Sequence, residues 1–379
     1  MVIQNSSGST PSVLICGGGV IGVATAYYLS RRGVASVIVE ANGVASGASG
    51  AAAGIISPLS AEQARSPLAE IIRTGVAMHA ELSTRLPEES DIDYGFERRA
   101  SLLIATTEQE EAEVRSEIEG RNAAGLDAQW LSVSDVRERF GWIDQPIRGA
   151  MLGEIPGMLD PYRFSLALLA AAERAGCEVR SGRVGGIERE GGRVTGVRVG
   201  AGVIPADVVV VAMGPWSQEA AEWIGAPVPV VPLKGQIVRV QPDGPLPNCG
   251  FGNRDNDYVM PKSPGVILLG TTEEDAGFDD APTREARDAI LQFGVRYASS
   301  LGDAAVVEQT ACLRPLSADE LPIVGGVVGL DGAYVATGHG RKGILMSLPT
   351  GAAVAELILD GRASTLDLSN FSPSRFRPA

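Results

Sequence analysis

The stretch that most restricts how this chain can fold is residues 13–40, VLICGGGVIGVATAYYLSRRGVASVIVE. VLIC (13–16) is a continuous apolar run that stops at Gly17, the pattern of a strand buried on both faces. Small and apolar residues from Ile21 to Arg32 then permit a helix, which Gly33 closes. ASVIVE (35–40) repeats the buried-strand pattern. Strand, helix and strand in this order imply parallel pairing, because the crossover helix returns the chain in the same direction. Between the first strand and the helix lies GGGVIG, with Gly17, Gly19 and Gly22 in the GxGxxG spacing. The first glycine permits the tight turn, the second lets backbone approach a pyrophosphate, and the third lets helix pack on strand. Val20 and Ile21 open the helix, at the positive end of its dipole, where phosphate is stabilised. Glu40 ends the second strand, where a carboxylate can accept from both ribose hydroxyls and disfavours a 2′-phosphate, hence NADP. A dinucleotide other than NADP is therefore expected on Gly17, Gly19, Val20, Ile21, Gly22, Glu40 and Ala41.

Charge narrows the partners. Asp and Glu outnumber Lys and Arg by 46 to 32, and the net charge of −14 repels nucleic acid and anionic membranes. No nucleic-acid partner is expected, and an anionic ligand must be captured by placed cations and backbone N–H groups. With 45% apolar residues in a chain of 379, the composition is that of a soluble globular protein with room for two or three domain-sized units. VLICGGGVIGVATAYYL is long enough to suggest a membrane span, but its three consecutive glycines and its strand–helix reading argue against one. Cys16, Cys177, Cys249 and Cys312 are scattered with no CxxC pair, which reads as reduced thiols in a cytoplasmic protein, with neither a disulfide frame nor a metal site. The start, MVIQNSSGSTPS, lacks the charged end and apolar core of a signal peptide.

Farther along, residues 61–86 and 108–124 read as helices with mixed polar faces. DPYRFSLALLAAAERAG (160–176) is a helix with Asp160 as cap, Pro161 in the first turn and Gly176 at its end. Strand patterns occur at 177–181, 186–190 and 194–199, and ADVVVVAMGPW (206–216) is another buried strand. Residues 230–240, 256–260 and 265–270 alternate like antiparallel strands, and 283–300 is helical. Strands near 305–314 and 333–337 lead into a last helix, roughly 343–359, ended by Gly361. With βαβ character at both ends and α+β character between them, one domain is assembled from separated segments.

Residues 41–58, ANGVASGASGAAAGIISP, are dense in small side chains, which lets a second length of backbone lie against a large planar cofactor. Here the sequence resembles the D-amino-acid oxidase family of flavoproteins, in its glycine oxidase and sarcosine oxidase branch. The motifs that carry the likeness are GGGVIG…VE, ASGASGAAAG, VVVVAMGPWS, GTTEEDAGFD, CLRPLSADELPIVG and GHGRKGIL, spread over nearly the whole chain. The resemblance implies FAD as cofactor and an α/β fold. In it a discontinuous Rossmann-like FAD-binding domain, of the glutathione reductase/p-hydroxybenzoate hydroxylase type, is joined to an α+β substrate domain built on an antiparallel sheet. The FAD-binding domain is expected over 11–90, 148–226 and 310–372, the substrate domain over 91–147 and 227–309, and flexible termini at 1–10 and 373–379. By the same resemblance, Ser46, Gly47, Ala48, Ser49, Gly54, Ile55 and Ile56 line the pyrophosphate and flavin, and Val184, Ala212, Gly214 and Trp216 the adenine and ribose side. The turn Gly340, Arg341, Lys342, Gly343 and Ile344 meets the flavin, and the helix it opens aims its N-terminus at the flavin C2 carbonyl.

The resemblance also implies that Arg314, in the LRP motif, and Arg341, in GHGRKG, reach a substrate carboxylate, with Tyr258 on the same group. A guanidinium fork grips a carboxylate in a fixed plane, which presents the neighbouring Cα–H to flavin N5. Other readings of the same residues are an Arg314 paired with Asp319 or Glu320, and a Tyr258 that only packs in a sheet. His339 is expected to support the flavin edge, and His79 to lie at the surface. Lys342 stands where the glycine oxidase pattern has Asn, and matches the lysine that holds the carboxylate in monomeric sarcosine oxidase. Cys312 lies near where sarcosine oxidase-type enzymes attach flavin by a thioether, although non-covalent FAD is the main expectation. The implied activity is oxidative deamination of a small amino acid or N-alkyl amino acid, of glycine, sarcosine or D-amino acid type, by hydride transfer. The acceptor is oxygen or another electron carrier. A dehydrogenase, a homo-oligomer, a subunit of a complex and a non-catalytic flavoprotein assembly factor stay open as alternatives.

Overall fold

The computed structural model describes residues 11–244, 246–262 and 264–377. The N-terminal ten residues, expected as a flexible start without a signal peptide, and residues 378–379 lie outside the described residues. Six strands form one sheet in the order Ile323–Gly326, Ala333–Thr337, Val208–Val211, Val13–Cys16, Ser36–Glu40 and Glu178–Ser181. All neighbours run parallel except Ile323–Gly326, which pairs antiparallel with Ala333–Thr337. Alternation along the strands sends Val13 and Ile15 to one face and Leu14 and Cys16 to the other. The first face is covered by helices Val20–Arg31, Leu68–Ser90, Pro161–Arg174 and Gly343–Asp360, through Val23, Tyr27, Ile71, Phe164 and Leu345. The second is covered by a three-stranded antiparallel sheet, Val184–Glu190, Arg193–Val199 and Gly202–Pro205, through Val184, Ile187 and Val197.

A nine-stranded, mostly antiparallel sheet stands beside this layer. It runs Ala305–Ser317, Val230–Gln241, Val266–Gly270, Tyr258–Lys262, Cys249–Gly252, Glu97–Ala105, Gly149–Met158 and Ile55–Ile56, with Gln129–Leu131 also on Gly149–Met158. One face packs Phe251 and Leu269 against Phe293 and Tyr297 of the helix Arg284–Tyr297. The other gathers Ile155, Ile237, Met260 and Leu268 toward Ile55 and Tyr258.

Helix ends follow local chemistry. Asp160 caps Pro161–Arg174 by accepting from the Arg163 N–H (3.0 Å), and Gly361 closes the last helix at φ +71°. Leu68–Ser90 starts later than the sequence suggests and continues through Pro87, ending at Asp91 in the left-handed region. Two long strands carried no clear pattern. Glu97–Ala105 begins with three charged residues, and Gly149–Met158 contains glycines and a proline, yet they pair with each other along most of their length. Gly149–Met158, and Ala305–Ser317 across the expected boundary at 310, both belong to the large sheet, although residues 148–158 and 310–317 read as FAD-domain segments. The chain beyond 372 is not a loose tail over its described part. Pro373–Phe376 forms a 3₁₀ turn, and Arg375 binds Asp319 at 2.7 Å. The closing helix is apolar enough to resemble a membrane span, yet 72% of its most apolar stretch is buried inside the protein.

Candidate active site

A cleft of about 700 Å³ runs between the two large sheets. At one end it is walled by backbone. Gly17 has φ +107°, and a Cβ there would sit 2.4 Å from the Ala212 carbonyl oxygen, so only glycine makes this turn. Gly19, Val20 and Ile21 line the cleft, whereas Gly22 lies behind it: a Cβ on Gly22 would come 2.1 Å from the Gly17 oxygen. Ser49 Oγ accepts the Val20 N–H (2.9 Å) and so occupies one of the free donors at the helix start. Glu40 accepts from the Gly18 N–H (2.7 Å) and the Asn42 N–H (2.8 Å), which fixes its carboxylate at the rim with further acceptor capacity. Ala41, Ser46, Gly47, Ala48, Gly54 and Ile55 continue the lining. Ile56, the next residue on the strand, turns away and is fully buried in the core, so the sequence places one residue too many on this wall. Val184, Ala212, Gly214 and Trp216 line the opposite side. Arg183 and Glu219, paired at 2.8 Å, also line the cleft and went unmarked in the sequence, where they read as ordinary surface charges.

In the middle stands His339. Its Nε2 lies 3.0 Å from Thr350 Oγ1, and its buried Nδ1 has no hydrogen-bond partner among the described residues. Burial pulls its pKa down to about 3, so the ring is neutral. An orphaned buried nitrogen beside a glycine-walled cleft is what a bound polar ring edge would satisfy. These residues therefore fit FAD. Gly340, Arg341, Lys342, Gly343 and Ile344 line the same wall, where the turn Gly340–Lys342 opens the helix Gly343–Asp360. The other histidine departs from its expected surface position. His79 is fully buried against Phe164, and its Nε2–H donates to the Ile344 carbonyl (2.9 Å), bracing the start of that helix. Its polar sequence neighbours point elsewhere around the helix.

The far end is built from side chains. Arg314 donates to Thr271 Oγ1 (2.7 Å) and the Thr272 carbonyl (3.1 Å), and its side chain is 11% exposed. Gly235 makes room for it: a Cβ there would lie 2.1 Å from Nη2. Gly270 does the same for Tyr258, whose hydroxyl would be 2.6 Å from an added Cβ. A lone glycine inside a strand pattern signals such a close approach, and that is the clue available in the sequence. Asp319 is taken by Arg375, so it is not the partner of Arg314. Instead Arg314 and Arg341 converge on Glu273, at 3.7 and 2.9 Å from the same carboxylate oxygen. Lys342 donates to Ser57 Oγ (3.3 Å) and has no carboxylate partner among the described residues. Burial, reinforced by the charges of Arg341 and Arg121, pulls its pKa to about 8. Arg121 lines the cleft from the helix Glu108–Ala123 while paired with Glu117 at 2.7 Å, a spacing that reads as a solvated helix face. Cys312 is buried in the same wall, and burial raises its thiol pKa.

The profile of the family described as DAO, FAD dependent oxidoreductase, matches residues 12–357. The bifunctional protein ThiO/ThiG of Trichormus variabilis is 31% identical over 97% of this chain and 55% of its own length, so the chain spans about half of that relative. The hydrogen cyanide synthase subunit HcnC of Pseudomonas aeruginosa is 30% identical over 97% of both chains. The crystal structure of glycine oxidase from Geobacillus kaustophilus superposes with a TM-score of 0.91 at 29% identity, covering 97% of this chain and 99% of that one.

Proposed function

The chain belongs to the DAO family of FAD dependent oxidoreductases and is an FAD-dependent enzyme, and from that premise we propose that it oxidises the amine of a small carboxylated substrate, an amino acid or N-alkyl amino acid. The observation that carries this reading is the convergence of Arg314 and Arg341 on one carboxylate at the end of the cleft. Two guanidiniums that already organise around a carboxylate of the protein are suited to the carboxylate of a ligand. The similarity to glycine oxidase supports a small substrate of the glycine, sarcosine or D-amino acid class.

FAD, when bound, supplies a two-electron acceptor for the hydride on the substrate's α carbon. The side chains supply position. Arg314, anchored by Thr271 and Thr272, and Arg341 set the plane of the carboxylate, and Tyr258 closes that end of the wall. His339 is neutral and held by Thr350, so it orients and does not donate charge. With the amine arriving neutral, its lone pair forms the imine as hydride departs, and water hydrolyses the imine to the oxo acid. No protein base is then required. We further propose that FAD is held non-covalently: burial raises the Cys312 thiol pKa, which disfavours the thiolate that a thioether bond requires. Electron delivery to a carrier other than oxygen is a second reading, favoured by full-length similarity to a protein that is itself a subunit.

Anaerobic mixing tests the main reading. Glycine, sarcosine or a D-amino acid should bleach the flavin absorbance, while methylamine and dimethylamine, which lack the carboxylate, should not. Equal bleaching by the decarboxylated amines would refute the arginine site. Readmitted air should then restore the colour with peroxide release if oxygen is the acceptor, and acid precipitation of the same protein should leave the flavin in solution.

A further inference from the structure

We propose that Glu273 is a resident competitor for the substrate's carboxylate, one that occupies the arginine pair until substrate displaces it. The inference rests on the reading that Arg314 and Arg341 receive a carboxylate. Glu273 Oε1 lies 2.9 Å from Arg341 Nη1 and 3.7 Å from Arg314 Nη1, so one oxygen serves both cations.

The backbone around Glu273 is fixed on both sides. Thr271 Oγ1 donates to the Gln236 carbonyl (3.0 Å), and Thr272 Oγ1 accepts from the Gln236 N–H (3.0 Å). On the other side, Glu274 and Lys234 exchange backbone hydrogen bonds, each of 3.0 Å. These contacts tie the segment to the strand Val230–Gln241, so the Glu273 carboxylate is delivered to the arginines by a held backbone rather than by a wandering loop. Only its side chain has to turn, and at 39% exposure it has water to turn into. The Arg341 side chain is 43% exposed as well, which makes the pair weak enough for a ligand to exchange.

Charge explains the use. Two adjacent guanidiniums repel each other and together make a local positive site that draws small anions, although the chain as a whole carries −14. A tethered carboxylate neutralises one of the two cations. A passing anion must then compete with Glu273, whereas a substrate that also stacks on the flavin through its amine end gains contacts that the anion lacks. Glu273 thereby raises the threshold for every carboxylate by the same factor, so that weakly held anions stay unbound at concentrations where the substrate still binds.

The experiment titrates acetate into FAD-loaded wild type, Glu273→Gln, Glu273→Ala and Arg341→Ala, followed by the change in flavin absorbance, alongside steady-state kinetics with the best amine substrate. Both Glu273 variants should bind acetate about fivefold more tightly, with a gap that narrows as salt is added. Their KM should fall by a similar factor with kcat unchanged, and Arg341→Ala should lose acetate binding. Equal acetate affinity in wild type and both Glu273 variants overturns the proposal while leaving the arginine reading intact, provided Arg341→Ala loses acetate. Should Arg341→Ala bind acetate as wild type does, the arginine reading fails, and the role of Glu273 with it. A raised KM with unchanged acetate affinity would show that Glu273 receives the substrate's ammonium, which also overturns the proposal.

Discussion

At the glycine end of the cleft the lining comes from residues 17–56 and is mostly backbone. At the arginine end Tyr258, Arg314 and Arg341 line the cleft from separate segments and act through their side chains, with Glu273 paired to both arginines. The first wall tolerates almost no added atom: a Cβ on Gly17, Gly22 or Gly54 would lie between 1.9 and 2.4 Å from a carbonyl oxygen. The second wall is made of charged side chains, with a half-exposed ion pair and a lysine that has no acidic partner among the described residues. Rigid backbone suits a cofactor that stays, and exchangeable charge suits a ligand that comes and goes.

The sharpest test of that division pairs two substitutions. Arg341→Ala should raise KM by about 30- to 1000-fold, a loss of roughly 2–4 kcal/mol, with FAD content unchanged. Glu40→Ala should do the reverse, weakening FAD retention while leaving the KM of the loaded enzyme near wild type. Loss of FAD from the Arg341 variant would erase the distinction between the two ends.

Gly22→Ala should act on the rigid wall without touching the cleft. Its added Cβ meets backbone, so destabilisation of about 1–3 kcal/mol is expected, read as a lowered thermal midpoint and a paler protein. A Gly22→Ala protein with wild-type midpoint and colour would mean that this wall yields as readily as the other.

The smallest effect is a pH limb. Burial and two neighbouring cations depress the Lys342 pKa from 10.5 to about 8. Its positive charge is present below that pH and fades as pH rises through it, so acetate affinity should fall above about pH 8. Lys342→Met should remove that limb. The folding sign is opposite: the cost of burying the ammonium is full below about pH 8 and disappears as pH approaches 10.5, so this group makes the fold more stable with rising pH. A limb that persists in Lys342→Met would assign the titration to another group, Lys262 being the other buried lysine with a pKa near 8.

Much of the parallel layer was legible. The run 13–40, the helix capped by Asp160 and the valine-rich strand 208–211 each combine a local pattern with a local stop signal. The large sheet was less so. Glu97–Ala105 and Gly149–Met158 are strands because they pair with each other, not because either sequence alternates cleanly. His79 misled for a related reason: the polar residues beside it face away, and it is buried by the approach of Phe164 and of Ile344, the latter 265 positions later.

By itself the sequence determined the βαβ unit, the glycines that let backbone approach a dinucleotide, and the presence of two arginines in motifs shared with flavoproteins. Each of these depends on contacts among near neighbours, so residue type and spacing suffice. Tertiary structure alone decided that Arg314 and Arg341 share Glu273, that Gly235 and Gly270 clear space for Arg314 and Tyr258, and that Lys342 has no acidic partner among the described residues. Those facts depend on strand register and on the packing of one sheet against another, which join residues far apart in the chain and leave no periodic trace along it.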